Sequence, residues 1–257
     1  AGVAYLAGHT QAGVDQVRLA LNHQQVGRGP RRAFADAGAA FGAQYNQTGV
    51  AHTQISYPPS SHTAHNVIYA NHEDGFALAS MRSETRSRYY VQSAPGETVD
   101  DWSTERFWQA FTHRLGTLGQ QVKTGEPIEK SIAPLRSYVS EPMRFGRLFL
   151  AGDSAHIVPP TGAKGLNLAF ADVRRLSRAI AHWKSSGSDA ALEGYSLDAL
   201  ARVWKIERFS WYLTTMMHQF PEHSGFEKRM QRAEFDYIRS SEAGQSTIAE
   251  NYVGLPF

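Results

Sequence analysis

The stretch LAGDSAHIVPPTGAKGLNLAFADV, residues 150–173, carries the clearest structural pattern in this chain. Its apolar start ends abruptly at Gly152-Asp153, and a loop with Pro-Pro, Thr-Gly and Lys-Gly pairs follows. Apolar residues then recur at three- and four-residue steps from Leu166 to Trp183. This order predicts a short buried strand, a polar loop and a helix with one continuous apolar stripe.

The loop itself has the composition of a site for a polar ligand. Gly152 allows a close backbone approach, and the Asp153 carboxylate, which only accepts hydrogen bonds, suits sugar hydroxyls. Gly162, Gly165 and the helix start would offer backbone N–H groups and the positive end of a helix dipole, to which Lys164 adds charge. The alternative is an ordinary strand-to-helix turn in which glycine serves geometry alone.

Upstream of the loop, the sequence alternates between strand and helix signals. Residues 66–92 predict three strands with a hairpin turn at Asp74-Gly75. An amphipathic helix follows, with Ser103 or Thr104 as its N-cap and Gly116 as its stop. Prolines break residues 131–143, which are therefore expected to form an edge strand or a crossing segment.

Four side chains of the predicted strands would share one face of the sheet. Residues two apart on a strand point the same way, which pairs Ser80 with Arg82 and Arg88 with Tyr90. With Tyr69 of the preceding strand, one face could gather Tyr69, Ser80, Arg82 and Tyr90. A guanidinium, a hydroxyl and two phenols suit a small aromatic acid, since arginine can bind a carboxylate with two parallel hydrogen bonds. The alternative is a polar, solvent-facing sheet surface.

The first 56 residues differ from the rest, because they contain no lysine or glutamate and are rich in alanine and glycine. We expect a poorly ordered leader in which only residues 14–21 could form a short helix. An ordered extension, or a segment read in the wrong frame, are the alternatives. After the loop, further helices are expected at about 189–219 and 226–239.

Composition excludes several classes of protein. The net charge of +2 over 257 residues gives no indication of a nucleic-acid or membrane partner. Without cysteine, disulfides, thiolate catalysis and cysteine-ligated metals are excluded, which fits a cytoplasmic location. The apolar runs are too short to span a bilayer, and the start lacks the pattern of a signal peptide.

Several motifs together carry a resemblance to a known family. The stretch GRLFLAGDSAHIVPPTGAKGLNLA, residues 146–169, closely resembles the Gly-Asp motif of the FAD-dependent aromatic hydroxylases, the group A flavoprotein monooxygenases. Further matches, in the family's order, are VIYANH (67–72), RSRYYVQ (86–92), EKSIAPLRS (129–137), VWKIERFSW (203–211) and AENYVGLP (249–256). The resemblance covers about residues 57–257 and not residues 1–56.

For the substrate, the resemblance implies hydroxylation of 4-hydroxybenzoate to 3,4-dihydroxybenzoate. Ser80, Arg82 and Tyr90 would hold the carboxylate. Tyr69 would bond the phenolic oxygen and favour its ionised form, and Tyr252 would pass the proton onward. The carbonyl of Pro160 would face the substrate hydroxyl.

For the cofactors, the resemblance implies FAD, which NADPH reduces, together with O₂. Asp153 would bind the ribityl chain, Leu166 and Asn167 would contact the flavin, Arg88 would lie near it, and Arg136 would lie near the NADPH phosphates. The remaining cofactor-binding candidates are the loop residues Gly152, Gly162, Lys164 and Gly165. A homodimer is implied for the intact family.

The implied fold class is α+β, with a mixed sheet followed by a helical C-terminal region. It resembles the C-terminal half of an FAD-linked reductase-type fold without the N-terminal Rossmann unit, since no G-x-G-x-x-G occurs here. The expected parts are a leader (1–56), a substrate-binding sheet region (57–145), a flavin-contacting strand, loop and helix (146–186) and a helical region (187–257). Isolated, such a chain is expected to be inactive. An inactive association module, or another flavin-dependent phenolic-acid hydroxylase, are the alternatives.

Overall fold

The structure is a computed structural model that describes residues 18–21, 43–57, 68–83 and 86–254. These residues fall into two compact units. The sheet unit contains the described residues of 48–135 and 212–250, and the loop unit contains those of 18–47, 136–211 and 251–254.

The described strands are β1 (Arg18–Leu21), β2 (Ala43–Tyr57), β3 (Ile68–His72), β4 (Gly75–Ser83), β5 (Arg86–Ser93), β6 (Glu129–Glu141), β7 (Arg144–Phe145), β8 (Leu148–Ala151) and β9 (His156–Ile157). The described α-helices are α1 (Thr104–Arg114), α2 (Gly165–Ser186), α3 (Ala190–Met217), α4 (Gly225–Ser240) and α5 (Glu242–Val253). The predicted strands in 66–92 and the predicted helices from Leu166, 189–219 and 226–239 are thereby confirmed.

The sheet unit is built on antiparallel strands in the order β3-β4-β5-β2. Alternation along β4 and β5 turns Ala77, Ala79, Tyr89 and Val91 to one face, where they are buried. The aromatic face of α1 packs onto them through Phe107, Trp108 and Phe111. Burial of three large aromatic rings makes this contact the core of the unit.

Local signals fix both ends of α1. Ser103 is the N-cap, and its hydroxyl accepts a hydrogen bond from the backbone N–H of Arg106 at 3.1 Å, as predicted. Gly116, just after the helix, has φ +59°, a left-handed conformation that favours glycine. A 3-10 segment, Gly116–Gln121, then folds back against the helix.

Gly119 of this segment should not tolerate a side chain. A Cβ there would lie 2.0 Å from the backbone oxygen of Thr112, so Gly119→Ala must displace backbone. We expect a loss of about 1–3 kcal/mol in the free energy of unfolding, the usual range for overpacking. Urea denaturation of both proteins measures this loss. Gly225→Ala is the matched control, because nothing lies within 4 Å of its Cβ, and equal stability of the two variants would contradict the prediction.

The expectation of an edge strand or a crossing segment over residues 131–143 holds only in part. Residues 131–141 lie in β6, which has neighbours on both sides, β2 and β9. β9 pairs only with Tyr138 and Val139, however, so it does not reach the level of Pro134. On the β9 side, β6 is therefore an edge strand at Pro134, a position at which proline is tolerated.

The expectation of a poorly ordered leader is wrong for the described residues of 1–56. β1 pairs in parallel with β8, in register from Arg18 opposite Leu148 to Leu21 opposite Ala151, so residues 18–21 are strand and not helix. β2 pairs antiparallel with β5 from Ala51 to Tyr57. Pairing with distant strands overrides the weak local helix signal. The remaining residues of the leader lie outside the described part.

The core of the loop unit lies between its strands and the helices α2 and α3. Buried Phe149 and Leu150 of β8 pack with Leu168 and Leu176 of α2, and the Tyr195 hydroxyl of α3 donates a 2.7 Å hydrogen bond to the Leu150 carbonyl. Burial raises the pKa of Tyr195 far above its ordinary value, so the hydroxyl stays a donor.

The apolar stripe predicted on α2 is only half buried. Leu176 is 2% exposed, whereas Leu166 and Phe170, in the first two turns, are 70% and 64% exposed. Helical periodicity identifies an apolar face but not what covers it. Among the described residues, no helix is both long enough and apolar enough to cross a membrane.

Candidate functional site

The strand register confirms most of the predicted polar face in the sheet unit. Tyr69 lies opposite Leu78, which in turn lies opposite Tyr90, so all three point to the same side. Ser80 lies opposite Arg88 on that side, one pleat further along. Tyr69, Tyr90 and Arg88 are half-buried and Ser80 is buried, so this is not an open, solvent-facing surface.

Arg82 lies at an irregularity that the sequence did not reveal. The register of β4 against β5 shifts between Met81 and Ser83, which places Arg82 at a β-bulge. Bulges re-aim side chains, so spacing alone does not fix the direction in which Arg82 points. Its side chain lies outside the described part of the structure.

The other end of the same face is held by the C-terminal end of α3 and the residues after it. The Gln92 side-chain oxygen accepts 3.1 Å hydrogen bonds from the backbone N–H of both Phe76 and Gln219, and its amide nitrogen donates to the Gln219 carbonyl. Asn71 donates to the Met217 carbonyl at 3.0 Å. These contacts tie residues on either side of the polar face to the helix end.

Gln231 of α4 extends this arrangement. Its amide nitrogen lies 3.0, 2.7 and 2.9 Å from the backbone carbonyls of Thr215, Met216 and His218. Helix ends leave carbonyls unpaired, and here the two N–H groups of one glutamine are shared among three of them. Sequence reasoning missed Gln92 and Gln231, because amide side chains at ordinary spacing carry no local signal of such pairing.

His218 is buried against the same end of the sheet. Its ring is 4.4 Å from that of Phe76, and its Nδ1 lies 2.9 Å from the Thr214 carbonyl. Burial lowers the pKa of His218 from 6.5 to about 4, with the bond to Thr214 acting in the opposite direction. The imidazole is therefore neutral in the folded protein at neutral pH.

Stability should consequently fall as the pH is lowered from 6.5 towards 4. In that range the unfolded chain binds a proton at His218 that the folded chain does not, so stability rises with pH. Between pH 6.5 and pH 5 we expect a loss of about 2 kcal/mol from this group. Urea unfolding at both values measures the loss. The prediction fails if His218→Gln, which cannot titrate, shows the same dependence.

Asp172 of α2 binds the backbone of the Gly-Asp loop in the loop unit. Gly152 has φ +62°, and its N–H donates to Asp172 Oδ2 at 3.0 Å. The same oxygen lies 2.5 Å from His156 Nε2, and both side chains are fully buried. Asp153 is exposed in the 3-10 turn Gly152–Ser154. Sequence reasoning missed this support, although Asp172 interrupts an apolar helix face.

The Pro-Pro part of the loop is compact. Pro160 begins a 3-10 turn, and its carbonyl accepts a 2.9 Å hydrogen bond from the N–H of Ala163, which has φ +52°. One lone pair of the Pro160 carbonyl is thus used within the loop, and the second is available for another donor. Gly162 is buried, and a Cβ there would lie 3.0 Å from the Ser210 hydroxyl.

A cavity of about 460 Å³ opens beside the start of α2. Lys164 and Asn167 line it, together with Val253 and Gly254 near the C-terminal end. Lys164 is buried, and its ammonium donates to the Tyr252 carbonyl and lies 5.4 Å from the centre of the Tyr252 ring. Burial lowers the pKa of Lys164, and the nearby positive charge of Arg202 lowers it further.

All charged side chains in the lining of this cavity are cationic. Arg174 of α2 and Arg202 and Lys205 of α3 join Lys164, and no carboxylate is present among the lining residues. Such a concentration of positive charge favours an anionic ligand. Arg174 lies on α2, and Arg202 and Lys205 are at helical spacing on α3. This signal was present in the sequence and was missed.

The predicted site residues therefore divide between the two units. The sheet unit holds Tyr69, Ser80, Arg82, Arg88 and Tyr90. The loop unit brings Lys164 and Asn167 together with Tyr252 around one end of α2, next to exposed Leu166. The loop unit also holds Gly152, Asp153, Pro160, Gly162, Gly165 and Arg136, of which Arg136 is exposed on β6.

Comparison with known sequences assigns the chain to a class of flavoproteins. The FAD binding domain family matches residues 31–210, more than half of the chain, and the chain belongs to this family, that of the group A aromatic hydroxylases. The match begins inside the segment 1–56, so the expectation that the resemblance excludes that segment is wrong from residue 31 onward.

Individual relatives narrow the class. The p-hydroxybenzoate hydroxylase of Acinetobacter baylyi is 55% identical over 195 residues, which cover 76% of this chain and 48% of that protein. The tetracenomycin A2 monooxygenase-dioxygenase of Streptomyces glaucescens is 37% identical over 117 residues, 44% of this chain and 18% of that protein. The chain thus spans half the length, or less, of these relatives.

Solved structures support the fold. The p-nitrophenol 4-monooxygenase of Pseudomonas putida superposes with a TM-score of 0.62 at 19% identity, over 84% of this chain and 57% of that one. A Diels-Alderase of pyrroindomycin biosynthesis gives a TM-score of 0.66 at 17% identity, over 83% of this chain and 46% of that one. At such identities the likeness concerns the fold alone.

Proposed function

We propose that this chain provides the substrate-binding sheet and the flavin-contacting loop of an FAD-dependent, NADPH-using hydroxylase that converts 4-hydroxybenzoate to 3,4-dihydroxybenzoate. The observation that carries the proposal is the sheet face on which Tyr69, Ser80, Arg88 and Tyr90 share one side. Its support from sequence is the 55% identity to a p-hydroxybenzoate hydroxylase.

The loop residues fit a flavin nucleotide. Asp153 and Asn167 are exposed, Leu166 presents an open apolar surface, and the turn at Gly152 is held rigidly from beneath. The start of α2 adds N–H groups and a favourable dipole, and the cationic cavity beside it suits an anion. FAD, when bound, would supply the redox chemistry by which oxygen is activated.

The chain's own residues would bind and orient the substrate. Ser80, Arg82 and Tyr90 would hold its carboxylate by charge-assisted hydrogen bonds. Tyr69 would donate to the phenolate oxygen, which keeps the phenol ionised and the ring electron-rich. Tyr252 would carry the released proton onward, Pro160 would accept from the substrate hydroxyl, and Arg136 would attract the NADPH phosphates.

Tyr69 and Tyr252 should act on the proton of the substrate. Tyr→Phe at either position removes only the hydroxyl and keeps the ring. We expect 4-hydroxybenzoate to bind each variant with little change in affinity, while its phenol ionises at higher pH than in the unmodified chain. The phenolate absorbance of bound ligand, titrated with pH, measures this. Tyr237→Phe, at an exposed tyrosine of α4, is the control.

Different results would contradict the proposed function and the proposed proton relay. If the chain binds neither 4-hydroxybenzoate nor FAD at millimolar concentrations, the chain does not by itself provide the two sites as proposed. If it binds 4-hydroxybenzoate but the ionisation curve is unchanged in both Tyr→Phe variants, the relay is wrong and the binding face stands.

A further inference from the structure

Two histidines and an aspartate meet on the surface of the sheet unit, apart from every residue assigned above. His72 is the last residue of β3, Asp74 lies in the turn between β3 and β4, and His113 lies in the last turn of α1. The three come from three different elements, so their meeting depends on how α1 packs on the hairpin. His113 and Asp74 are well exposed, and His72 is partly covered.

The separations suit a small divalent cation. Asp74 Oδ2 lies 2.9 Å from His113 Nε2 and 3.5 Å from His72 Nδ1, and all three ligand atoms lie within 4.8 Å of one another. A tetrahedral zinc ion with bonds of about 2.0–2.1 Å holds its ligand atoms about 3.4 Å apart. Both distances from Asp74 Oδ2 are within about 0.5 Å of that value, a difference that small side-chain rotations can remove.

The donor set selects the metal. Two imidazole nitrogens and one carboxylate oxygen favour zinc and its neighbours over magnesium or calcium, which prefer oxygen ligands. Three protein ligands leave a fourth position, and the exposure of Asp74 and His113 lets water fill it. We propose that His72, Asp74 and His113 bind one Zn²⁺ ion.

The hydrogen bonds at the site show how each ligand would become available. His72 Nδ1 accepts the backbone N–H of Asp74 at 3.1 Å, so this nitrogen carries no proton, and a metal ion would take the place of this hydrogen bond. His113 Nε2 contacts Asp74 directly, and it becomes a ligand when the ring carries its proton on Nδ1 instead. Arg114 carries a positive charge that would repel a metal ion. Its guanidinium donates hydrogen bonds to the carbonyls of Phe76 and Gln92.

Zinc bound by these three residues would hold two elements of the sheet unit together. It would clamp the β3–β4 hairpin to the end of α1, next to the strand that carries Tyr69. The inference rests on the contacts of the cluster alone and is independent of the proposed hydroxylase activity, because neither flavin nor substrate enters its test.

Metal titration of the whole chain, free of any polyhistidine tag, tests the site. Isothermal titration should give one Zn²⁺ per chain with a Kd in the micromolar range, and Co²⁺ should give the strong visible absorption of a four-coordinate ion. His72→Ala and His113→Ala should each weaken Zn²⁺ binding at least tenfold. His182→Ala, an exposed histidine of α2, is the matched control and should bind like the unmodified chain.

Thermal unfolding gives a second measurement. Zn²⁺ at a hundred times its Kd should raise the Tm of the unmodified chain and of the His182→Ala variant, but not of the double variant His72→Ala/His113→Ala. Unchanged affinity in the double variant would overturn the proposal, because binding would then reside on other histidines. The absence of saturable Zn²⁺ binding below 1 mM would overturn it as well.

Discussion

Asp172→Ala is expected to lower the free energy of unfolding by about 3–5 kcal/mol, the cost of removing one partner from a buried polar pair. Asp172 Oδ2 receives the N–H of Gly152 and contacts His156 Nε2, and neither Asp172 nor His156 reaches solvent. Alanine leaves both of these groups buried without that partner. Among the described residues, no other single carboxylate supports the Gly-Asp loop in this way.

Urea unfolding of the variant measures the loss, and two further variants separate its causes. Asp172→Asn keeps an oxygen for the Gly152 N–H and should recover part of the stability. Asp198→Ala, at an exposed carboxylate of α3, should be within about 0.5 kcal/mol of the unmodified chain. A stability for Asp172→Ala equal to that of Asp198→Ala would show that the buried pair contributes nothing.

Arg82→Ala should have the largest effect on ligand binding. In the proposed site it would leave a desolvated carboxylate without its partner, at a cost of about 2–5 kcal/mol. The Kd for 4-hydroxybenzoate should rise about 30-fold to several thousand-fold, since each 1.4 kcal/mol is tenfold. Arg82→Lys restores the charge but not the two parallel bonds, so an intermediate affinity is expected.

A ligand without the carboxylate provides the internal control for Arg82. 4-Methylphenol should bind the Arg82→Ala variant no more weakly than it binds the unmodified chain, because it has no charge to lose. Arg178→Ala, at an exposed arginine of α2, should leave the affinity for 4-hydroxybenzoate unchanged. Near-normal affinity of the Arg82→Ala variant for 4-hydroxybenzoate would show that Arg82 does not bind the carboxylate.

The elements that could be predicted from sequence are those with a local cause. The Asp74-Gly75 hairpin, the Ser103 cap and the strand that ends at Gly152 each depend on a few neighbouring residues, and each is confirmed. The shared face of Tyr69, Ser80 and Tyr90 also follows from strand alternation once the hairpins are placed.

The features that could not be predicted depend on residues far apart in the chain. The pairing of residues 18–21 with β8, the interior position of β6 and the support of Gly152 by Asp172 all come from tertiary contacts. The bulge at Arg82 shows the same limit on a smaller scale, since alternation assumes a regular strand. Local preferences are weak compared with such contacts.

Both units are assembled from segments that the other unit interrupts, and this bears on the order of folding during synthesis. The sheet unit needs residues 212–250, and the loop unit needs residues from 251 onward, including Asn251, which accepts a 2.8 Å hydrogen bond from Arg208. The aromatic core of the sheet unit lies within residues 77–115, so it is translated well before the residues 212–250 that complete this unit. Neither unit can be completed from one continuous stretch of the chain, so contacts between segments far apart in sequence must form late.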